Sequence, residues 1–410
     1  MKILHLSFYD DYGGAGKAAL RILNSQLNSK IDANMFVCSK HSFNKNVFSI
    51  KKTFSLKLNN IVVRTINFLL VKIFKQQSVY SLNLLPSRLS KIINQSDYDI
   101  VNFHWINHEM ISLYDINKIS KPIIWTLHDN WPFSSIEHYI KKNDNRFSLG
   151  YNNNNSSNLE KFLWKKKLEV FEKKILSVVA PSKWMESLVN KSIIFKNKKI
   201  YQIPYPIDTK NFFPENFLTA RKNLNLVSLK KNVKIISFGA TSAYSEQRKG
   251  YNFIKQTITK LNKEKKNVHF IIFGELAEDL YEFSNITNYQ ELSDEKKIRD
   301  IYNASDIFLC PSLQDNLPLT VMESITCGTP VVSFDVGGLK DLILHKKNGY
   351  LAKEESFEDF YNGINFFLNL DLKNNNDYLN VMEYNKITNN FNPNIIAEKY
   401  NKIYKEIINL

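Results

Sequence analysis

Short apolar runs alternate with amphipathic stretches along almost the whole chain, and this alternation restricts the fold more than any one motif. Apolar runs of strand length separated by helix-length segments read as parallel sheets joined by crossover helices. In the first half, strands are expected at Lys2–Ser7, Asn34–Ser39, Ile100–His104, Ile123–Leu127, Val178–Ala180 and Ile200–Pro204, with a helix from Gly16 to about Asn28. Tyr205-Pro206-Ile207-Asp208 then forms a stiff, proline-marked crossing. A second alternation follows, with strands at Lys234–Phe238, Val268–Phe273, Ile307–Cys310, Val331–Phe334 and Gly349–Ala352. The expected fold class is α/β. Two Rossmann-like, doubly wound domains, 1–204 and 205–385, would face a central cleft, with a helix in 386–410 packing back across the interface. The polar, Asn-rich stretch 141–157 reads as a mobile loop.

Residues 311–338 carry the densest chemistry. Asp315 precedes a helix start and Glu323 lies inside that helix. Pro318 suits the first helical position, where its missing N–H costs nothing. The amides of Leu319 and Thr320 would then be unpaired donors at the positive end of a helix dipole, a site for an anion. With Asn316 and Leu317 in the same loop, the segment can hold a sugar, a diphosphate and a ribose together. Gly328 stops the helix and Pro330 leads into the buried strand Val331–Phe334.

Other candidates fall where strands end. Gly14, Gly16 and Ala19 fit a loose G-x-G-x-x-A pattern after the first strand. The acidic residue that would complete a dinucleotide site is missing, since the next strand ends in Cys38-Ser39-Lys40. A small-residue loop that lets a substrate approach the backbone is what remains. Phe103-His104-Trp105 and His128-Asp129-Asn130-Trp131-Pro132-Phe133 put a histidine at each of two strand ends, where α/β active sites gather. Imidazole can bond sugar hydroxyls or a leaving phosphate, and Trp105 and Trp131 offer flat apolar faces for sugar rings. Arg248-Lys249-Gly250 opens a helix after the strand ending at Phe238. Cations there could neutralise a leaving diphosphate without a metal.

The Asp315/Glu323 spacing resembles the acidic-x7-Glu signature of retaining GT-B glycosyltransferases of family 4 (glycosyl transferases group 1). The glycine loop, the two His-Trp segments, Ala180-Pro181-Ser182 and Arg248-Lys249-Gly250 extend the resemblance from Gly13 to about Tyr350. The histidine segments are similar to those of a bacterial exopolysaccharide and O-antigen subgroup. The resemblance implies a GT-B fold and transfer, with retention, from a nucleotide-diphosphate sugar to a glycan or lipid-linked glycan. It makes His128, Arg248, Lys249 and Asp315 the expected catalytic set. Donor binding would use Gly14, Gly16, Asn316, Leu317, Leu319, Thr320 and Glu323, with Tyr289 where relatives hold the nucleobase. Acceptor binding would use His104, Trp105, Asp129 and Trp131. No cofactor beyond the nucleotide sugar and no metal are expected. The sequence departs from the family at Ala240, where an arginine is common, and at Ser134–His138, where a cysteine-bearing stretch would stand.

Two other readings stay open at this point: a nicotinamide-dependent dehydrogenase, and a basic membrane- or nucleic-acid-binding protein on a degenerate GT-B fold. The net charge of +15 leaves anionic partners open, but no nucleic-acid module accompanies it. Cys38, Cys310 and Cys327 are too few for a disulfide framework. The apolar stretch Ile61–Phe74 contains Arg64, Asn67 and Lys72, too short and charged to cross a bilayer. With Lys51, Lys52, Lys57 and Lys75 around it, the stretch reads as a basic amphipathic surface that could touch anionic lipid. The expected location is cytoplasmic, on the inner face of the plasma membrane where lipid is engaged.

Overall fold

The computed structural model describes residues 1–50, 65, 80–152, 156–227, 229, 232–240, 246–274, 280, 282–290, 292–370, 372, 379 and 383–409. They form two compact units, Met1–Pro206 with Pro393–Leu410, and Ile207–Asn392. The basic apolar segment 51–75 lies, apart from Thr65, outside the described residues.

The first unit is built on a parallel seven-stranded sheet of order β3-β2-β1-β4-β5-β6-β7. Its strands are β1 Lys2–Tyr9, β2 Asp32–Ser39, β3 Val47–Ser49, β4 Ile100–Phe103, β5 Ile123–Thr126, β6 Leu176–Ala180 and β7 Lys199–Gln202. The second is a parallel six-stranded sheet of order β10-β9-β8-β11-β12-β13. It comprises β8 Lys234–Ala240, β9 Val268–Gly274, β10 Ile286–Asn288, β11 Ile307–Cys310, β12 Val331–Phe334 and β13 Gly349–Ala352. Every residue of β4, β5, β6, β11 and β12 is buried. Helices cover both faces of such strands, which explains runs of Ile and Val without a polar alternation.

In each sheet the strand order reverses once, between β1 and β4 and between β8 and β11. The loops leaving the carboxyl ends of those strands splay apart there, the usual place for a ligand in an open α/β sheet.

Several expectations need adjustment. His104 and Leu127 lie just beyond β4 and β5, and β7 ends at Gln202 rather than Pro204. The edge strands β3 and β10 were not foreseen, because three-residue strands carry almost no periodicity. The division near 385 falls inside the helix Tyr384–Asn389, and the second unit continues to Asn392. Pro393 then opens the helix Pro393–Ile408, which packs on the helix Gly13–Asn28 of the first unit. Tyr400 and Tyr404 are fully buried, and their hydroxyls bond Thr126, Gln26 and Asn102. Pro318 caps the helix Leu319–Thr326 instead of occupying its first turn.

The stretch expected to be loose, 141–157, is tied down in its described part. Arg146 pairs with Asp144 at 2.7 Å and with Glu160 at 2.7 Å, and Tyr151 bonds Glu137. Nearby, Lys167 of the helix Asn158–Glu172 is completely buried. Its ammonium donates to the carbonyls of Trp131 (2.5 Å), Ser134 (3.2 Å) and Ser135 (2.5 Å), and stands 3.6 Å over the Trp131 ring. Burial pulls the Lys167 pKa well below its ordinary value, against the opposing charges of Glu137 and Asp129. One side chain thus satisfies three carbonyls that a buried loop could not otherwise pair. Lys167→Met should lower stability by about 3 kcal/mol, because those carbonyls stay buried without a donor. Urea unfolding followed by tryptophan fluorescence measures it; an unchanged midpoint would show that the loop stands without the lysine.

Candidate functional site

At the β8/β11 reversal, three loops converge on Asp315. Lys249 Nζ lies 2.7 Å from its Oδ2 and Arg248 Nη1 3.8 Å from the same oxygen. Arg248 also meets Glu246 at 2.5 Å. Burial would raise the Asp315 pKa, but the Lys249 and Arg248 charges and the Asn316 amide hold it below the usual carboxylate value. Backbone shape enforces the convergence. Gly250 has φ +69°, and a Cβ there would sit 2.0 Å from the Pro311 carbonyl oxygen. Gly337 has φ +56°, with a Cβ position 2.0 Å from the Asp315 carbonyl oxygen. Only glycine fits either place.

The helix Leu319–Thr326 starts directly after this cluster. Its first intrahelical donors, Val321 and Met322, bond the Pro318 carbonyl at 3.2 Å each. The amides of Leu319 and Thr320 have no hydrogen bond among the described residues. The side chains of Leu317 and Leu319 are buried, so what these positions can offer a ligand is backbone N–H. Glu323 accepts from the Tyr302 hydroxyl at 3.0 Å, which orients the carboxylate. Tyr289 follows β10; its hydroxyl donates to the Leu224 carbonyl at 3.0 Å and Lys297 stands 4.3 Å from its ring centre. Glu291, two residues further on, lies outside the described residues.

At the β1/β4 reversal the helix Gly13–Asn28 begins after Tyr12 with no side-chain cap. Gly14 has open space around its Cβ position, as a substrate-approach loop requires. Gly16 does not: a Cβ there would meet Tyr9 and the Asp10 carbonyl at 3.1 Å, so its smallness serves helix-to-strand packing. Buried Asp10 accepts from the amides of His41 and Ser42, at 2.6 and 2.9 Å, and holds the loop after β2.

The histidines are connected rather than free. His5 Nδ1 lies 2.8 Å from His104 Nε2, and His104 Nδ1 lies 3.0 Å from His128 Nε2. His128 Nδ1 is 2.8 Å from the Tyr205 hydroxyl. Both ring nitrogens of His104 and of His128 are therefore engaged within the first unit. This corrects the expectation that His104 meets an acceptor directly. For His128 it means that a substrate contact must exchange with Tyr205.

Trp131 also needs correction as a sugar platform. It is wholly buried and its Nε1 donates to the Ser81 carbonyl at 2.8 Å. Asp129 is similarly committed: Oδ1 accepts the Trp131 amide, and Oδ2 accepts from Trp105 Nε1 at 2.8 Å and His138 Nδ1 at 2.5 Å. Burial opposes ionisation of Asp129, yet His138 and the other donors keep its pKa low. His138 Nε2 continues to Ser81 Oγ at 2.9 Å. Ser81 is 3% exposed, so this Ser-His-Asp series fastens the loop and offers no accessible nucleophile. Trp105 is half-buried and keeps a face among Phe8, Tyr9 and His108. Tyr9, stacked at 6.2 Å on Trp105, leads to Tyr12 and His41. Among the described residues no cluster of His, Cys, Asp and Glu could hold a metal ion.

Sequence reading missed His5, Gln26, Tyr205, Tyr302 and Gly337. His5 had a visible signal, a histidine inside an otherwise apolar strand; the others become partners only through tertiary structure.

Two open sheets, each with polar loops gathered at a strand-order reversal, define the class of protein. Residues 12–211 match Glycosyltransferase Family 4 and residues 229–386 match Glycosyl transferases group 1. The chain belongs to this glycosyltransferase family, with the GT-B fold. It is 28% identical over 211 residues to an N,N'-diacetylbacillosaminyl-diphospho-undecaprenol alpha-1,3-N-acetylgalactosaminyltransferase of Campylobacter jejuni, covering 49% of this chain and 53% of that protein. It is 29% identical over 144 residues to a UDP-Gal:alpha-D-GlcNAc-diphosphoundecaprenol alpha-1,3-galactosyltransferase of Escherichia coli, covering 33% and 35%. The chain spans about half the length or less of these curated relatives. Among solved structures, sucrose-phosphate synthase of Thermosynechococcus elongatus superposes with a TM-score of 0.67 at 14% identity, covering 99% of both chains. Anabaena HepE in complex with UDP-glucose gives 0.66 at 14% identity, covering 99% of this chain and 100% of that one. At such identity the likeness concerns the fold. Among the described residues no helix is long and apolar enough to cross a membrane.

Burial depresses the pKa of His5 and of His128 to about 4, against the Gln26 bond and the Asp129 charge respectively. It also holds the His104 pKa well below its ordinary value, helped by its two histidine neighbours. In the unfolded chain each titrates near 6.5. Their contribution to stability is complete above about pH 6.5 and is lost as pH falls towards about 4, because the unfolded state binds protons first. His104→Gln should flatten the acid side of the stability curve by up to about 1.4 kcal/mol per pH unit within that window. Urea midpoints at pH 7.5, 6 and 4.5 measure the slope, and parallel curves for the two proteins would refute the assignment.

Proposed function

We propose that the protein transfers a sugar from a nucleotide-diphosphate donor to a glycan acceptor, lipid-linked as in the undecaprenol-named relatives, with retention at the anomeric carbon. The observation that carries this reading is the Lys249–Asp315–Arg248 cluster beside the amides of Leu319 and Thr320, which have no hydrogen bond among the described residues. Two cations and a helix N-terminus suit a diphosphate. Glu323, oriented by Tyr302, would accept from ribose hydroxyls, and Tyr289 would border the base. Asp315 would exchange its lysine for a donor-sugar hydroxyl as the phosphates take up the cations. In the transfer step the bond from C1 to the phosphate oxygen breaks, and its electron pair goes to the diphosphate. The acceptor hydroxyl oxygen attacks C1 from the same face and gives its proton to the departing phosphate. His128 and the half-buried face of Trp105 would border the acceptor and the donor sugar. Anionic lipid would be met by the basic segment 51–75, a proposal that rests on sequence alone.

Lys249→Ala should reduce kcat by up to ~10²-fold, because charge on the diphosphate grows as the bond breaks. Glu323→Gln should chiefly weaken donor binding, since a ribose contact is the same in ground and transition states. Isothermal titration with a nucleotide sugar and steady-state transfer assays separate the two. Equal losses of kcat with unaltered donor affinity would contradict these roles.

Transfer should also persist in excess chelator, because Lys249, Arg248 and the helix amides supply the neutralising charge. Activity abolished by EDTA and restored by magnesium or manganese would show that a metal does this work.

A further inference from the structure

A buried row of side chains crosses the first sheet beneath its β1/β4 reversal: Gln26, His5, His104, His128 and Tyr205. The amide of Gln26 presents Oε1 to His5 Nε2 at 3.0 Å, while its Nε2 donates to the Tyr404 hydroxyl at 2.8 Å. An amide oxygen can only accept, so His5 carries its hydrogen on Nε2. A neutral imidazole has one donor and one acceptor, so His5 Nδ1 must accept from His104 Nε2. The same step repeats. His104 Nδ1 accepts from His128 Nε2, and His128 Nδ1 accepts the hydroxyl hydrogen of Tyr205. All three rings are at most 9% exposed, and burial keeps them uncharged.

A chain of neutral donor–acceptor groups has two complete arrangements, this one and its full reversal. Mixed states leave two donors or two acceptors facing each other in a buried site, which is costly. The tautomers therefore change together or not at all. The ends of the row are also informative. Tyr205 lies next to Pro206, where the chain leaves the first unit, and Tyr404 lies on the helix by which it returns.

We propose that these five residues form one tautomeric relay, in which the amide orientation of Gln26 sets the hydrogen-bonding sense of His128, so that Gln26 and Tyr205 are positioning residues. In the sense that this Gln26 orientation sets, His128 Nδ1 is an acceptor. A group that exchanges with Tyr205 there must bring a hydrogen: a hydroxyl qualifies and an ionised phosphate oxygen does not. His128 thus selects a sugar hydroxyl over the diphosphate. The relay stands independently of the transferase reading; only its use on a sugar rests on that reading.

Nitrogen-15 NMR of imidazole-labelled protein at pH 7.5 tests it, because protonated and bare ring nitrogens resonate far apart. All three histidines should show the Nε2–H tautomer in the wild type. Gln26→Met removes the accepting amide, so the preference at His128, which Gln26 does not touch, should fall from roughly tenfold towards parity together with that of His5 and His104. Tyr205→Phe should shift the His128 Nδ1 resonance and leave the tautomers in place, since Gln26 still sets the sense. Unlike tautomers among the three rings of the wild type, or a Gln26→Met effect confined to His5, would overturn the relay. The wild-type spectrum decides the first point even where a variant fails to fold. Donor binding assayed on the same samples is a separate readout, so failure of the relay and failure of the transferase reading are distinguishable.

Discussion

Parallel strands covered on both faces leave no solvated side on which polar groups can sit. That constraint organises both sheets. Polar chemistry is pushed to the carboxyl ends of the strands, and any polar side chain left beneath those ends must find its partners inside the protein. His5, in the middle of β1, is the clearest case: wholly buried, it bonds Gln26 on one side and His104 on the other. Lys167 solves the same problem for a loop, turning one amine towards three carbonyls.

The two strand-order reversals meet the constraint in opposite ways. In the first unit the row from Gln26 to Tyr205 is made of neutral imidazoles, a hydroxyl and an amide, joined end to end. In the second, Asp315 stays ionised although it is largely buried, because Lys249 and Arg248 stand against it. Removing either kind of partner leaves a buried group unsatisfied, but the consequences differ. A broken neutral chain loses hydrogen bonds, whereas a broken ion pair leaves an uncompensated charge, the costlier outcome.

Legibility in the sequence followed range. The sheets were readable because Ile123–Thr126 or Val331–Phe334 announce themselves by composition alone. The cluster at Asp315 was half-readable: the helix start, Glu323 and Arg248-Lys249 were visible, but their pairing depends on loops brought together by Gly250 and Gly337. Trp131 and His104 were misjudged because an aromatic or a histidine at a strand end looks the same whether it faces a ligand or a buried carbonyl. Trp131 faces the Ser81 carbonyl, a residue far upstream whose approach no local pattern encodes. The short strands β3 and β10 were invisible for the converse reason, since pairing with β2 and β9 creates them.

Asp315 has a further consequence for how charge is managed. A lysine and an arginine held close without a counter-charge would repel each other and recruit water or salt. The carboxylate lets both be held in a partly buried site before any phosphate arrives. In the proposed donor complex an incoming diphosphate would not assemble the cationic site; it would compete for one already built. The competition would favour a diphosphate, which brings more charge and more acceptor oxygens than one carboxylate, with the helix amides adding donors that Asp315 leaves unused. Released from Lys249, the carboxylate would become a strong acceptor beside the phosphates, where a sugar hydroxyl could satisfy it. On that proposal the same ion pair that holds three loops together also prepares the site for an exchange of partners.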